Sequence, residues 1–329
     1  MKFGPVPVND ALGAIAAYSM RAGGRTIKKG AVLTKADLSH LETAGLSTIT
    51  VARLDADDLH EDEAASAIAN ALVPDGPAVH LRLSRAATGR VNLFATNEGI
   101  VVFDPERINA LNAVDPMITV ATVPPYHRLP KDGMVATIKI ISYGVAKTDI
   151  ARACTLAPQV ALAVGQYSSI TLIETKTDNP MPSTKGRDAL AVRVNPLGIS
   201  LTDRVVVAHE IDALSTALQE AKGDVICILT ASATSDAHDV APSAVRRAGG
   251  AVARFGMPVD PGNLLFVGNL GEKPIVGLPG CARSPALNGA DWVLNRILCG
   301  VPVTSDDIAA MGVGGLLKEI PTRPRPRAG

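Results

Sequence analysis

The sequence has few aromatic residues and no net charge, and each shortage excludes a class of protein. Aromatic residues make up 3% of the 329 residues, whereas apolar residues make up 47%. The cores must therefore be aliphatic, which favours α/β layers over an aromatic-rich binding sandwich. Lys plus Arg and Asp plus Glu number 32 each, so no overall field attracts nucleic acid or an anionic membrane. An anionic ligand must be held by local donors.

Cysteine pairs and long apolar runs are also missing. The four cysteines are widely spaced and form no CxxC pair, which argues against a disulfide framework or a zinc site. There is no N-terminal hydrophobic signal region and no apolar run of about 18 residues. The Walker-type GxxxxGK, HExxH and GxSxG motifs are absent. These absences predict a cytoplasmic protein without a membrane partner.

The pattern of predicted helices and strands changes along the chain and indicates four segments. Thr34 is expected to cap a helix that ends at Gly45. Short β-rich runs follow, and a regular alternation of strands and helices begins near Ser168. The predicted segments are an N-terminal α+β unit (1–58), an α+β middle domain (59–165), an α/β domain (166–311) and a tail (312–329) that is disordered beyond Ile320.

The α/β segment supplies the predicted fold class. Strands alternate with helices of 10–15 residues, which predicts a parallel, three-layer α/β sheet. One helix is expected to open at Pro242 and the last to cover Pro285–Leu298. Ligands of such sheets sit beyond the carboxyl ends of the strands. This rule selects four loops, with the sequences TKTDNPMPSTKG (175–186), AHEID (208–212), TASATSDAHDVAP (230–242) and GLPGCARSP (277–285).

The third of these loops is the best candidate for an anion site, although it contains no glycine. It follows a strand and precedes a helix, where free N–H groups favour an anion. Asp236 and Asp239 are predicted to hold Mg²⁺ between phosphate groups and to act in catalysis, with His238 as a base or donor. In the alternative, the loop is an ordinary polar connection and Asp239 caps the next helix. The predicted ligand-binding residues are Thr230, Ala231, Ser232, Ala233, Thr234 and Ser235.

The fourth loop is the second candidate. Gly277, Pro279 and Gly280 predict a rigid turn that permits close backbone approach. Arg283 and Ser284 then stand where a helix starts, a suitable pair for a phosphate. The alternative is a tight turn with a surface arginine. Cys281 is either a thiol of lowered pKa beside Arg283 or a passive small residue.

Two of these stretches resemble a known family. The run TASATSDAHDVAPSAV (230–245) and the run GLPGCARSPALN (277–288) are similar to the molybdopterin-binding domain shared by molybdopterin adenylyltransferases and molybdenum insertases. HDVAPSA resembles the helix start of the adenylyltransferases, and DPGNLLFVG (260–268) resembles a segment of the insertases. The resemblance covers roughly Ser168–Leu298, and residues 24–51 also look like an insertase segment that leads toward this domain.

The resemblance implies a ligand, partners and a role. The ligand would be molybdopterin or the molybdenum cofactor, a pterin-phosphate that is sometimes adenylylated. The role would be cofactor biosynthesis or delivery by a homo-oligomer, with apo-molybdoenzymes as partners and an insertase-type transfer assisted by Mg²⁺. Ser232, Thr234, Asp236, Asp239 and the turn 280–284 would line the pocket.

The sequence also departs from the family pattern. Ala231 and Ser232 stand in place of paired glycines, and their Cβ atoms restrict positive φ. His209 stands where an adenylyltransferase carries an acid, and Thr175 to Asp178 replace the expected first-loop motif. These changes favour ligand binding over either reaction. Three functions stay open: an insertase-like transferase, a non-catalytic cofactor carrier, and another phosphate- or nucleotide-binding α/β enzyme.

Overall fold

The chain divides into two units, which a computed structural model describes over residues 1–177 and 181–317. The first unit comprises Met1–Asn97 and Val101–Leu162. The second comprises Glu98–Ile100 and the chain from Ala163 onward. The disorder expected beyond Ile320 concerns residues outside the described part.

Helices and short strands alternate irregularly up to residue 163. They are β1 (Lys2–Pro7), β2 (Ile15–Ala16), β3 (Met20–Ala22), β4 (Arg25–Ile27), α1 (Lys35–Thr43), β5 (Thr48–Arg53), β6 (Asp58–His60), α2 (Glu61–Leu72), β7 (Leu81–Leu83), β8 (Arg90–Ala95), β9 (Gly99–Val102), α3 (Pro105–Asn112), β10 (Ile118–Thr122), β11 (Arg128–Leu129), β12 (Met134–Ile140), β13 (Gly144–Ala146), α4 (Lys147–Leu156) and β14 (Ala161–Ala163).

The first 53 residues form a small sheet in the order β1-β5-β2, with the hairpin β3-β4 and helix α1 beside it. The predicted cap is confirmed, because the Thr34 side chain accepts the Asp37 N–H and the Asp37 side chain accepts the Thr34 N–H. This reciprocal capping box fixes where α1 begins. Leu33, Leu41 and Ile49 anchor the buried aliphatic cluster of this part.

The rest of the first unit is built on an antiparallel sheet in the order β10-β12-β8-β7. Helix α2 packs against β8 and β12. Ile68 and Leu72 of that helix are fully buried, as are Leu93 of β8 and Ile138 of β12. Alternating buried positions along β8 and β12 place the apolar side chains on one face of the sheet.

The second unit carries the regular α/β alternation. No helix in the described part of either unit is long and apolar enough to cross a membrane. The elements are β15 (Ser169–Lys176), α5 (Lys185–Val194), β16 (Ser200–Leu201), β17 (Val205–Ala208), α6 (Ile211–Gln219), β18 (Val225–Leu229), α7 (Val240–Arg247), β19 (Ala251–Phe255), β20 (Phe266–Leu270), β21 (Lys273–Gly277), α8 (Gly289–Leu298) and α9 (Ser305–Ala310).

The sheet of the second unit is mixed, so the expectation of a wholly parallel sheet is wrong. Its order is β16-β15-β18-β21-β20-β19, with β17 also paired to β15. The pairs among β15, β16, β17, β18 and β21 are parallel, whereas β20 runs antiparallel to both β21 and β19. The physical reason is length: only Gly271 and Glu272 separate β20 from β21, and a parallel crossover needs a dozen or more residues.

Two helices begin at positions other than those predicted. Helix α7 starts at Val240 with Asp239 as its N-cap, so Pro242 lies inside the first turn. Helix α8 starts at Gly289, four residues later than expected, because Asn288 and Asp291 form a capping box there. The residues before it make a short 3-10 helix, Gly280–Arg283, and a connection. Capping side chains, rather than prolines, set both starts.

Helices α6 and α7 cover one face of this sheet. Their Leu214, Leu218 and Val245 pack in one buried cluster with Ile228 and Phe266 of the strands. Helix α5 lies against the sheet through Gly186, because a Cβ there would come within 2.3 Å of the Leu229 side chain.

Asp224 stabilises the sheet at the amino ends of β15 and β18. Its Oδ2 accepts hydrogen bonds from the backbone N–H and the hydroxyl of both Ser168 and Ser169, at 2.7–3.1 Å. These bonds, led by the Ser168 hydroxyl, lower the pKa of Asp224 from 3.8 to about 2. The charged carboxylate is therefore favoured in the folded state, and its contribution to stability is present above the unfolded pKa.

We expect Asp224→Asn to lower the free energy of unfolding by about 1–2 kcal/mol at pH 7, less than the whole pKa shift because solvent reaches the carboxylate. The difference from wild type should shrink as the pH falls from about 4 toward 2, where the wild-type carboxylate also becomes protonated. Urea unfolding at pH 7 and pH 3 measures both effects. Asp203→Asn, at an exposed position, is the matched control, and an equal loss in both variants would contradict the prediction.

Candidate functional site

The structure brings the four candidate loops together along one edge of the mixed sheet. Strands β17, β15, β18 and β21 are parallel. Each pairs with the next, and the pairing reaches the carboxyl ends of the strands or stops one or two residues before them. Their carboxyl ends therefore lie side by side, which is where ligands of open α/β sheets bind. Asp178, which was named for the first loop, lies outside the described residues.

Thr175 joins three of the loops. The backbone N–H of Ala231 donates to Thr175 Oγ1 at 2.8 Å, and the same oxygen lies 2.9 Å from His209 Nδ1. The His209 backbone N–H also donates to the Lys176 carbonyl at 2.8 Å. Thr175 is 2% exposed, so this small network fixes the third loop against the ends of β15 and β17 from inside the protein.

The predicted ligand-binding residues of the third loop divide into two groups. Thr230 and Thr234 are buried, and their hydroxyl oxygens lie 3.4 Å apart, so both side chains support the loop. Ala231, Ser232, Ala233 and Ser235 are exposed. The exposed polar groups of the loop are therefore its backbone and the serine hydroxyls, of which the Ser235 hydroxyl donates to Asp239 Oδ2 at 3.5 Å.

Three consecutive backbone N–H groups of this loop, at residues 232–234, have no acceptor among the described residues. The N–H groups on either side are bonded, Ala231 to Thr175 and Ser235 to Asp239 at 2.9 Å. Successive N–H groups without an acceptor are available to an anion where a turn directs them to one side. Residues 230–239 all have negative φ, so none of them adopts the left-handed conformation that favours glycine.

The two carboxylates of the loop are bonded to its own backbone. Asp239 accepts the Ser235 N–H on Oδ2 and the Val240 N–H on Oδ1 at 2.7 Å. The Ser235 N–H is the main cause that holds the pKa of Asp239 below its ordinary value, and the Val240 N–H and His209 act in the same direction. Asp236 Oδ1 accepts the His238 N–H at 2.7 Å. Both carboxylates shape the turn into α7.

This arrangement gives the predicted magnesium site no support. In the described part of the chain, no group of three or more His, Cys, Asp or Glu side chains is placed to hold a metal ion. Mg²⁺ is usually held by one or two carboxylates together with water and substrate phosphates. Asp236 and Asp239 instead act as local caps, which matches the alternative in which Asp239 caps the helix.

The fourth loop lies against the third. Arg283 Nη2 donates to the Thr230 carbonyl at 2.7 Å, while Pro279 is buried and Gly280 and Ser284 are exposed. Gly277 belongs to β21, where it pairs with Ile228. The close approach it permits is by the Phe266 ring, 1.9 Å from the place of a Cβ, and not by a ligand. Cys281 is exposed, but desolvation of its thiol is the main cause that raises its pKa. The direction of this shift favours the passive residue over a thiol of lowered pKa.

Arg193 of α5 holds the fourth loop in place. Its guanidinium donates to the carbonyls of Ala282 and Ser284 at 3.1 and 2.8 Å. Its Nε lies 2.5 Å from a carboxylate oxygen of Asp291 on α8. This buried fork fits several acceptors at once, a geometry that lysine lacks. Sequence patterns did not single out Arg193, since its partners are distant carbonyls.

A second ion pair lies behind the first loop. Arg204 donates through Nε to Glu174 Oε2 at 2.7 Å and through Nη2 to the Pro182 carbonyl at 2.7 Å. The Glu174 side chain is 4% exposed. The bond to Glu174 is the main cause that raises the pKa of Arg204. Glu174 precedes Thr175, so this pair supports the residue that links the loops.

Comparison with known proteins gives a partial family match and a distant structural likeness. Residues 5–53 match the family described as Domain of unknown function (DUF8806), and no curated protein matches the sequence. A crystal structure of the molybdopterin biosynthesis MoeA protein from Pyrococcus horikoshii is 15% identical, with a TM-score of 0.30 over 93% of this chain and 75% of that chain. A second structure of that protein is 11% identical, with a TM-score of 0.26 over 92% of this chain and 76% of that chain. The family match concerns the N-terminal segment alone, and the likeness is too distant to carry a functional argument.

Proposed function

We propose that the loop edge of the second unit binds the phosphate of a pterin-type cofactor, molybdopterin or the molybdenum cofactor, in cofactor biosynthesis or delivery. The observation that carries the proposal is the run of three acceptor-free N–H groups at residues 232–234. They belong to the same loop as HDVAPSA (238–244), and Thr230 of this loop contacts Arg283 of GLPGCARSPALN (277–288). Both stretches resemble the molybdopterin-binding domain. The three-layer arrangement of that domain is part of the proposal.

The chemistry of binding follows from the exposed donors. The N–H groups at 232–234 would donate to phosphate oxygens, as in other anion-binding loops. The Ser232 hydroxyl adds a donor beside them, whereas the Ser235 hydroxyl donates to Asp239 Oδ2 at 3.5 Å. Arg283, which is exposed, has N–H groups beyond the one that donates to Thr230. Hydrogen bonds to a charged group contribute about 1.5–3 kcal/mol each. A few such donors can hold a phosphate dianion without a basic surface.

The hydrogen bonds of the site fit binding and delivery of the cofactor better than an insertase-type transfer reaction. An insertase-type reaction would use Asp236 and Asp239 at the phosphate, but both carboxylates accept hydrogen bonds from their own loop. Such bonds favour a charged, immobile carboxylate and leave it poorly placed to hold a metal ion. We therefore propose a carrier that hands the cofactor to apo-molybdoenzymes, with transfer as the alternative.

Titration of the purified protein with molybdopterin, adenylylated molybdopterin and the mature cofactor tests the proposal. We expect saturable binding of at least one pterin and none of AMP or ATP alone. Binding of a mononucleotide without any pterin would instead indicate a nucleotide-binding α/β enzyme. Failure of all three pterins to bind would contradict the proposed function.

Asp239→Asn separates the carrier from the transferase. Asparagine is as good an N-cap as aspartate, so we expect pterin affinity within about threefold of wild type and a stability loss under about 1 kcal/mol. Asp239→Ala removes the cap and should cost about 1 kcal/mol. Calorimetric binding and AMP release from adenylylated molybdopterin are measured on the same samples. The carrier hypothesis would be overturned in favour of the transferase if wild type releases AMP and Asp239→Asn does not, while both proteins bind the pterin.

A further inference from the structure

The bond between Thr175 and His209 fixes which nitrogen of the imidazole carries hydrogen. Thr175 Oγ1 already accepts the Ala231 N–H, and Thr175 has only His209 Nδ1 as its other side-chain partner in the described part of the chain. A neutral ring that donated from Nδ1 would leave the hydrogen of a hydroxyl that is 2% exposed without an acceptor. The hydroxyl therefore donates to Nδ1, and the neutral ring carries its hydrogen on Nε2.

A protonated ring gives the same outcome at Nε2. Its Nδ1–H would donate to Thr175 Oγ1 while Nε2 keeps its own hydrogen. His209 therefore offers an N–H donor from Nε2 in both charge states. No partner for Nε2 occurs among the described residues, and the ring is half-buried, so this donor is oriented but unused.

The contacts of His209 place its ring beside the proposed phosphate site. The residue directly follows β17, and its partner Thr175 is bonded to Ala231, the neighbour of the free N–H groups at 232–234. His209 is also near enough to Asp239 to act on that carboxylate electrostatically. A carboxylate at residue 209 would add a second negative charge there, and a phosphate would then need a bridging cation.

We propose that His209 is a specificity-determining residue that donates from Nε2 to the anionic phosphate of the ligand, so that binding needs no bridging divalent cation. Thr175 is a positioning residue that holds the ring in the donating tautomer. The inference rests on the proposed function. It is consistent with Asp236 and Asp239 serving as caps of their own loop.

Two substitutions of His209 distinguish loss of the Nε2 donor from a structural effect of the mutation. His209→Asn keeps a group near Nδ1 for Thr175 but removes the outward N–H, whereas His209→Gln places an amide nitrogen near Nε2. Loss of a hydrogen bond to a charged group weakens binding by about tenfold or more. We expect His209→Asn to lose that much molybdopterin affinity and His209→Gln to stay within about threefold of wild type. His127→Asn, at an exposed position in the first unit, is the matched control and should bind like wild type.

The cation requirement is tested on the same proteins. Molybdopterin is titrated in EDTA and in excess Mg²⁺, with thermal unfolding to show that each variant is folded. Wild-type affinity should be the same in both buffers, whereas His209→Asp should bind in Mg²⁺ and lose about tenfold or more in EDTA. If His209→Asn does not fold, Thr175→Ser and Thr175→Val replace it, and only the valine variant should lose affinity.

The outcomes divide cleanly between the two proposals. Wild-type protein that binds no pterin in either buffer contradicts the proposed function, and this inference is lost with it. If wild type and His209→Asn bind the pterin with equal affinity, the inference alone is overturned. The same holds if wild type binds the pterin only with Mg²⁺ present. Tenfold weaker binding in His209→Asn, restored in His209→Gln, supports it.

Discussion

Gly277→Ala is expected to destabilise the protein by about 3 kcal/mol, the upper end of the usual cost of overpacking a core. A Cβ at residue 277 would come within 1.9–2.5 Å of three ring atoms of Phe266. That ring is 1% exposed and packs in the cluster beneath α6 and α7. Close-packed interiors leave a ring of this size little room to move, so the strain must pass to β20, β21 or the helices above them.

Denaturant unfolding measures this loss, and Gly280→Ala is the matched control. The nearest atom to a Cβ at residue 280 is Arg283 Nη1 at 3.5 Å, an ordinary contact, so that variant should stay within about 0.5 kcal/mol of wild type. Phe266→Leu removes the clashing ring atoms, and the double variant should be at least about 1 kcal/mol more stable than the two single losses predict. A Gly277→Ala protein with the wild-type midpoint would show that the ring adapts freely and would contradict the argument.

Arg204→Met is expected to cost about 3 kcal/mol or more of folding free energy. The variant leaves the Glu174 carboxylate, which is 4% exposed, without its guanidinium partner, and breaking one side of a buried pair typically costs about 3–5 kcal/mol. It also removes the donor to the Pro182 carbonyl. Because Glu174 adjoins Thr175, the affinity for a pterin should fall together with stability.

A double substitution distinguishes the ion pair from simple loss of packing. Replacing both partners with apolar residues, as in Glu174→Leu with Arg204→Met, removes the unpaired charge and should recover much of the lost stability. Arg204→Lys keeps the charge but lacks the forked geometry, so it should fall between wild type and Arg204→Met. If the double variant is as unstable as Arg204→Met or less stable, the unpaired carboxylate is not the cause.

Local signals predicted those parts of the fold that depend on neighbouring residues. The cap at Thr34 was predicted from the sequence, and the structure adds Asp37, three residues later, whose side chain accepts the Thr34 N–H. The mixed sheet was missed, although only Gly271 and Glu272 separate β20 from β21. The apolar residues of β20 and β21 suit a buried strand of either direction. The length of the connection, rather than the strand pattern, decides that direction.

The sequence predicted where the candidate loops lie on the sheet, but not the hydrogen bonds between their side chains. The rule for parallel strands selected loops that lie along one edge, because strand order follows from local elements and short connections. Thr175 and His209 were each noticed as departures from a family pattern, but their hydrogen bond joins positions 34 residues apart. No spacing rule predicts such a pair. The part played by Asp239 as a cap was visible locally, since it directly precedes a helix.

The glycine-free third loop has a consequence for the entropy of binding. Glycine is the residue that loses most conformational freedom when a loop is ordered, and residues 230–239 contain none and all keep negative φ. Before any ligand arrives, the chain here already samples fewer conformations than a glycine-rich phosphate loop would. If the loop binds a phosphate as proposed, less of the interaction energy is lost to ordering, and part of the affinity comes from preorganisation. We then expect the loop to favour one shape of anion over others.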